Sequence, residues 1–338
     1  MHILVVNDDG PPTTSSSPYV LDLVRALQRA GHTISVVLPH QQRSWIGKAH
    51  ILGQNIKPYY YQPPPAPDSN QPLPADISYV DTGKVSPRPL PSDSTQEEWV
   101  LIDSTPASCV QIGLHHYFKS RGPIDLVISG PNYGRNTTAV FALSSGTLGA
   151  ALEAAICGVR AIALSYAFFD RNHDPKIIKG ATNASIRVIN ALVENWDTRD
   201  QERGDKVQIY SVNVPLLAGV EKAKALWTQM LQNTWRTGSC FTEMDVSEEE
   251  DWAPGEEEEK IREAEGTEKE EDGKKVGDHM RYTHKQFKWS PKFTDVYKSV
   301  EEAPPGNDGW AVQHGHISVT PLKANFMHVR GFEGEIEI

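Results

Sequence analysis

The feature that most constrains this chain is the stretch MHILVVNDDG, residues 1–10. Residues 2–6 read as a short strand, rich in β-branched side chains and apolar enough to be buried on both faces. The run stops at Asn7-Asp8-Asp9-Gly10, which sets two adjacent carboxylates at the carboxyl end of a central strand. Open α/β sheets take their ligands at that edge. Neighbouring carboxylates repel each other unless a proton or a cation lies between them. Hard divalent cations such as Mg²⁺ and Mn²⁺ accept all-oxygen ligand sets and are the usual solution. The plainer reading is an Asp-rich turn after a strand, and it weakens because the pattern belongs to a wider constellation.

That constellation emerges along the chain. After a Pro- and Ser-rich loop, Tyr19 to Ala30 carries Val20, Leu23, Val24 and Leu27 at helical spacing, with Ser17 expected as N-cap and Pro18 at the first helical position. Thr33 to Leu38 is a second strand, so the opening forms a right-handed βαβ unit of a parallel sheet. Its exit loop, Pro39 to Ser44 followed by Gly47-Lys48, is expected beside Asp8 and Asp9. Residues 58–98 are Pro-rich and read as a surface excursion with a short strand at Ile77 to Val80 and a tyrosine run packed as a sheet edge.

Order returns at Trp99 to Ile102, and a helix follows from Ala107 to Tyr117, capped by Thr105 with Pro106 in its first turn. Asp125 to Ser129 is a further buried strand running into Gly130-Pro131-Asn132-Tyr133-Gly134-Arg135-Asn136, a loop whose glycines and asparagines allow close approach to a small charged ligand. Ser145-Gly146-Thr147 opens a helix of small residues. Its free N–H groups and hydroxyls describe a phosphate site at a helix N-terminus, against the alternative that small residues only permit tight packing on the sheet. Val159 to Ser165 and Val207 to Val214 are strands, with a helix over Lys179 to Asn195 between them. Beyond, Ala223 to Thr234 is expected helical, Thr237 to Met244 a strand, and His316 to Leu322 the last clear strand.

The fold class expected is α/β, a Rossmann-like mostly parallel sheet with helices on both faces and a C-terminal appendage of hairpins and an edge strand. The division is a core over 1–215, with the Pro-rich insertion 58–98, and an appendage over 216–338 that makes oligomer contacts. An acidic insertion at 245–280 is expected to be disordered. Residues 245–275 hold fifteen acids against five bases, so most of the net charge of −11 sits there and the rest of the chain is nearly neutral. This excludes a basic nucleic-acid footprint. No apolar stretch reaches the eighteen residues of a membrane span, no signal peptide is visible, and Cys109, Cys157 and Cys240 show no metal or redox spacing. A reduced, cytoplasmic setting is the expectation.

Taken in order, Asn7 to Gly10, Arg43-Ser44 with Gly47, Ser104 to Val110, Ser129 to Asn136, Ser145 to Thr147 and Ser211 to Pro215 form a series that resembles the SurE family, the survival-protein phosphatases that act as 5′/3′-nucleotidases and acid phosphatases. The resemblance covers about 1–57, 99–215 and 310–322. It implies one divalent cation per subunit, Mg²⁺ or Mn²⁺, with its ligands falling on Asp8, Asp9, Ser44 and Asn132. It also implies a phosphate-contacting surface at Asn136, Ser145, Gly146 and Thr147, and homodimers or homotetramers built with an exchanged C-terminal hairpin. Three features depart from the family pattern: the loop after Gly10 is Pro- and Ser-rich where many members carry glycine, Ser104 to Val110 stands where the family has Gly-Thr-Pro-Ala-Asp-Cys-Val, and the 58–98 and 245–280 stretches are extra, as in its fungal branch.

Two carboxylates, a hydroxyl and an amide oxygen from three strand ends would leave an octahedral cation open to water and phosphate. The function expected is hydrolysis of nucleoside monophosphates and similar phosphomonoesters, small substrates, with Asp8 and Asp9 catalytic. The residues allow an aspartate either to orient the attacking water or to attack phosphorus itself. A receiver-type signalling module is the rival from another class, but it needs an aspartate at the end of the strand over Asp125 to Ser129, where this chain has Ser129-Gly130-Pro131-Asn132. A nucleotide-binding scaffold without catalysis is the remaining alternative.

Overall fold

The strand at the start of the chain organises two cores. In the computed structural model, which describes residues 1–65, 77–170, 173–203, 206–236, 239–244 and 286–326, His2–Val6 forms β1. Successive side chains of a strand point to opposite faces. Ile3 and Val5 accordingly pack with Leu23, Val24 and Leu27 of α1 (Val20–Arg29), and Leu4 and Val6 enter the opposite core with Val110 and Ala151. An unbroken apolar run is what a strand covered on both sides requires.

The other elements follow in chain order: β2 (Thr33–Pro39), β3 (Pro58–Gln62), β4 (Lys84–Ser86), β5 (Trp99–Ile102), α2 (Pro106–His115), β6 (Leu126–Tyr133), α3 (Thr138–Ser144), α4 (Gly146–Ile156), β7 (Ala161–Ala167), α5 (Pro175–Glu194), α6 (Trp196–Arg203), β8 (Ile209–Pro215), β9 (Ala225–Trp227), β10 (Phe241–Met244), β11 (Gln286–Trp289), α7 (Thr294–Glu301), α8 (Asp308–Gln313) and β12 (Ile317–Leu322). Among the described residues ten strands form one sheet in the order β4-β3-β5-β2-β1-β6-β7-β8-β12-β9. The run from β5 to β8 is parallel, β3 and β12 flank it antiparallel, and β10–β11 is a separate antiparallel hairpin. The chain leaves β1 for β2 on one side and returns to pair β6 on the other. The strand order therefore reverses between β1 and β6, where a doubly wound sheet opens its ligand crevice.

Three local expectations are corrected. Ser17 does not cap α1. Its hydroxyl donates to the Gly10 carbonyl (2.9 Å) and accepts from Asn7 Nδ2 (3.1 Å), so it closes the 7–17 loop, and the helix cap is Tyr19 without a side-chain bond. Residues Ile77–Thr82 form a 3₁₀ turn rather than a strand: Asp81 accepts from the Thr14 N–H and hydroxyl, and Tyr79 donates to Asp22, side-chain bonds that replace a ladder. Residues Ala225–Trp227 are strand rather than helix because β12 offers them an open edge. The tyrosine run behaves as expected at Tyr61, which packs on Trp99 at 5.4 Å, although β3 lies inside the sheet with β4 outside it. Helices α3, α7 and α8 lie where the sequence pattern is too short to signal them. The acidic insertion lies outside the described residues.

No single helix among the described residues is long and apolar enough to cross a membrane. The pair α3 and α4 passes that test together but is bent by 68°, and it is core-packed.

Candidate active site

The first component is the turn after β1. Asn7 is buried and grips Gly10 at both ends, accepting its N–H at 3.0 Å and donating to its carbonyl at 2.9 Å. That clamp presents the two following carboxylates at the strand end. Asp8 and Asp9 are only 2% and 1% exposed, so water cannot screen their repulsion and neighbouring groups must offset it. Asp8 Oδ1 accepts the Thr147 hydroxyl at 2.6 Å, and Asp9 Oδ2 accepts the Tyr133 N–H at 2.7 Å. The 39–44 loop joins them: Arg43 N–H donates to the Asp8 carbonyl at 2.7 Å, and Gln42 Nε2 lies 3.4 Å from Asp9 Oδ1 and 3.3 Å from Ser44 Oγ. The adjacency expected of that loop is present.

The second component is the end of β6. The strand does not stop at Ser129 but is irregular against β7 and resumes at Asn132, which pairs with Ser165. The irregularity demands glycine, because Gly130 has φ +123 and a Cβ there would strike the Leu164 carbonyl. Asn132 Nδ2 donates to the Gly134 carbonyl at 2.8 Å, which leaves the amide oxygen as the end available to a cation. Asn136 is held from beneath, its N–H donating to Asn213 Oδ1 and its Nδ2 to Ser165 Oγ.

The loop is braced from far along the chain. Asp308, fully buried at the start of α8, accepts the N–H groups of Thr138, Leu231 and Gly309 at 2.8–3.0 Å. Burial pushes its carboxyl above the usual carboxylate range, although the three N–H bonds pull the other way. With a raised folded-state pKa, the stability linked to this group is greatest in acid and declines as pH rises through that pKa. Asp308→Ala should lower stability by about 3 kcal/mol or more, since three buried donors lose their acceptor. Thermal denaturation checks this, and a shift within experimental scatter would show that the brace is dispensable. No local sequence pattern marks Asp308 for this role.

The third component is the break between α3 and α4. Ser145 caps α4 by accepting the Leu148 N–H at 3.2 Å. Gly146 presses on the first component: a Cβ there would stand 2.7 Å from Asp8 Cβ and 3.0 Å from its Oδ2. Thr147 is fully buried with its hydroxyl on Asp8. The small residues therefore serve close packing as well as leaving the helix N-terminus open. The neighbouring loop is pinned by Lys48 on buried Glu153 (2.6 Å) and by Gly47 N–H on the Ser144 carbonyl (2.8 Å).

These components meet in a narrow cleft of about 40 Å³, room for a few water-sized groups. Of the eight residues singled out in the sequence, Asp8, Ser44, Asn132, Asn136 and Ser145 line it, and Asp9, Gly146 and Thr147 join through Tyr133 and Asp8. Trp45, Phe141 and Arg135 also line it and carried no assigned role in the sequence. Trp45 has φ +58, an unfavourable conformation for a bulky residue, and is held there by Trp289 at 4.7 Å and Phe293 at 5.8 Å. Among the described residues no three His, Cys, Asp or Glu side chains converge as a metal-binding group. The cleft instead offers the Asp8 carboxylate, the Ser44 hydroxyl and the Asn132 amide oxygen, with the Asp9 carboxylate adjoining, an all-oxygen set that fits Mg²⁺ or Mn²⁺.

Fold and cleft together define a doubly wound α/β protein with an acidic, oxygen-rich crevice at its topological switch point. The chain belongs to the SurE family: the family model described as "Survival protein SurE" matches residues 3–237. A Saccharomyces cerevisiae protein named "Probable tubulin--tyrosine ligase PBY1" is 34% identical over 361 residues, covering 100% of this chain, which spans only 43% of that protein's length. A "5'-nucleotidase SurE" of Ruegeria pomeroyi is 34% identical over 232 residues, covering 68% of this chain and 71% of its own. The crystal structure of the SurE protein from Aquifex aeolicus shares the fold with a TM-score of 0.57 at 19% identity, covering 97% of this chain and 95% of its own.

Proposed function

We propose that the chain is a metal-dependent phosphomonoesterase acting on nucleoside monophosphates and similar esters, as a 5′/3′-nucleotidase or acid phosphatase. The observation that carries this reading is that buried Asp8 meets the start of α4 in one cleft, with the buried Asp9 carboxylate directly behind it on the Tyr133 N–H. Asp8, Asp9, Ser44 and Asn132 would hold one Mg²⁺ or Mn²⁺ per subunit. When bound, the cation would supply Lewis-acid polarisation of a phosphoryl oxygen and acidify a water. The reaction is the attack of a water oxygen on phosphorus as the P–O ester bond breaks. One water proton ends on the leaving alcohol, and the products are the alcohol and inorganic phosphate. In this reading Asp8 or Asp9 orients the water, while Ser145 and the N–H groups opening α4 receive phosphoryl oxygens. Asn136, held rigidly by Ser165 and Asn213, shapes the same wall. The names of the bacterial relatives support the nucleotidase class.

The test is hydrolysis of p-nitrophenyl phosphate and of AMP by the purified chain, with Mn²⁺ and with EDTA. Turnover that EDTA abolishes and Mn²⁺ restores supports the reading. Binding of AMP without turnover under either condition would leave a non-catalytic scaffold.

We also propose that the active form is a homodimer or homotetramer in a reducing, cytoplasmic setting, with residues 216–338 supplying subunit contacts. In support, Phe241 and Phe287 of the β10–β11 hairpin are 53% and 60% exposed, and all three cysteines are free. Phe241→Asp with Phe287→Asp should shift the species seen by light scattering to monomer. An unchanged mass would remove the hairpin from the interface.

A further inference from the structure

We propose that Arg135 is a further catalytic residue, a phosphate clamp that binds the phosphoryl oxygens of the substrate in the cleft it lines together with Asp8; this rests on the phosphomonoesterase reading. Among the described residues lining the cleft, Arg135 is the one cation. Nearby Arg43 directs its guanidinium to Asp103 at 3.1 Å. Charge balance gives the clamp its purpose. With one divalent cation held there, Asp8 and Asp9 would be only neutralised, and a phosphate dianion entering the cleft would meet a site of no net charge. A guanidinium lining the same cleft would make it net positive.

The geometry suits that task. One nitrogen, Nη2, donates to the Phe168 carbonyl at 2.8 Å, which uses one of the five N–H donors. The guanidinium carbon lies 5.1 Å from the Phe169 ring and 5.6 Å from the Tyr297 ring. Aromatic faces hold the planar group in place without consuming its hydrogen bonds. No carboxylate among the described residues forms an ion pair with it. A half-buried arginine that is anchored by one bond and two rings, and has no counter-anion there, has donors to give to an anionic ligand. Tyr297 comes from α7, outside the motif blocks, so the clamp depends on the C-terminal part of the chain.

In hydrolysis the clamp moves no proton and forms no bond. It binds the non-bridging oxygens while water adds to phosphorus and the alcohol leaves. Removing such a donor typically costs about 10²–10³ in rate.

The experiment uses Arg135→Met, Arg135→Lys and Arg135→Ala in the full chain, with inorganic phosphate and Mn²⁺ as probes. The clamp predicts that Met and Ala lose about 10²-fold or more in kcat/KM and lose the thermal stabilisation given by phosphate. Melting temperature without phosphate and Mn²⁺ affinity by calorimetry stay near wild type, Lys keeps part of the activity, and added guanidinium partly restores Ala. A Met variant with wild-type kcat/KM and full phosphate stabilisation overturns the proposal. So does a loss of melting temperature in all three variants that accounts for the lost activity, since Arg135 would then be only a prop for Phe168 and Tyr297. If wild type is stabilised by phosphate, Arg135→Met is not, and no ester is hydrolysed, the clamp stands and the phosphomonoesterase reading falls.

Discussion

Asp8→Asn and Asp9→Asn each lower kcat/KM by about 10³-fold or more while leaving the fold intact. Several kcal/mol of transition-state stabilisation depend on a cation that these carboxylates would hold, and each 1.4 kcal/mol is about tenfold in rate. The same substitutions relieve the repulsion between two carboxylates that are both nearly inaccessible to water, so the metal-free variants should melt at or above the wild-type temperature. Mn²⁺ at about a hundred times its dissociation constant should stabilise wild type by about 2.7 kcal/mol, and the variants by far less. Differential scanning calorimetry with and without Mn²⁺ reads both effects. Equal Mn²⁺-induced shifts in wild type and variants would refute the ligand assignment.

Gly146→Val is expected to be the second largest effect, for a reason particular to this packing. A Cβ at position 146 stands 2.7 Å from Asp8 Cβ and 3.1 Å from the Arg43 carbonyl, so Asp8 and the loop carrying Ser44 must both give way. Mn²⁺ stabilisation should fall sharply, and kcat/KM should drop by about 10²-fold or more, as expected when a site is displaced by about an ångström. Thr147→Ala is the gentler companion. It removes the 2.6 Å bond to Asp8, so it should weaken Mn²⁺ binding and slow turnover by roughly tenfold. If Gly146→Val loses activity only in proportion to its unfolded fraction and binds Mn²⁺ normally, the start of α4 is packing alone.

Thr147 also shows where a sequence reading stops. Ser145-Gly146-Thr147 announces a helix N-terminus and, with it, an anion site. Nothing in the spacing says that the third residue turns its hydroxyl to a carboxylate at position 8, 139 residues away. Arg135 sits inside a motif visible in the sequence, yet its value lies in Phe169 and Tyr297, which no local pattern links to it. Asp308 is a single acid in a weakly patterned stretch, and its partners at Thr138 and Leu231 are assembled only by the sheet.

By itself the sequence determined the parallel α/β sheet, the acidic end of β1 and a glycine-bearing segment after Ser129, whereas the continuation of β6 through an irregularity to Tyr133 came only from its pairing with β7. The first three follow from local physics: apolar runs that need two covered faces, carboxylates that need a counter-charge, and a backbone conformation that only glycine adopts without a clash. Tertiary structure alone decided which hydroxyls and amides face the carboxylates, which cation lines the cleft, and that Ser17, Ile77–Thr82 and Ala225–Trp227 depart from their local preferences. A side-chain hydrogen bond or an open sheet edge contributes as much free energy as a residue's intrinsic propensity, and those partners exist only once distant segments are packed together.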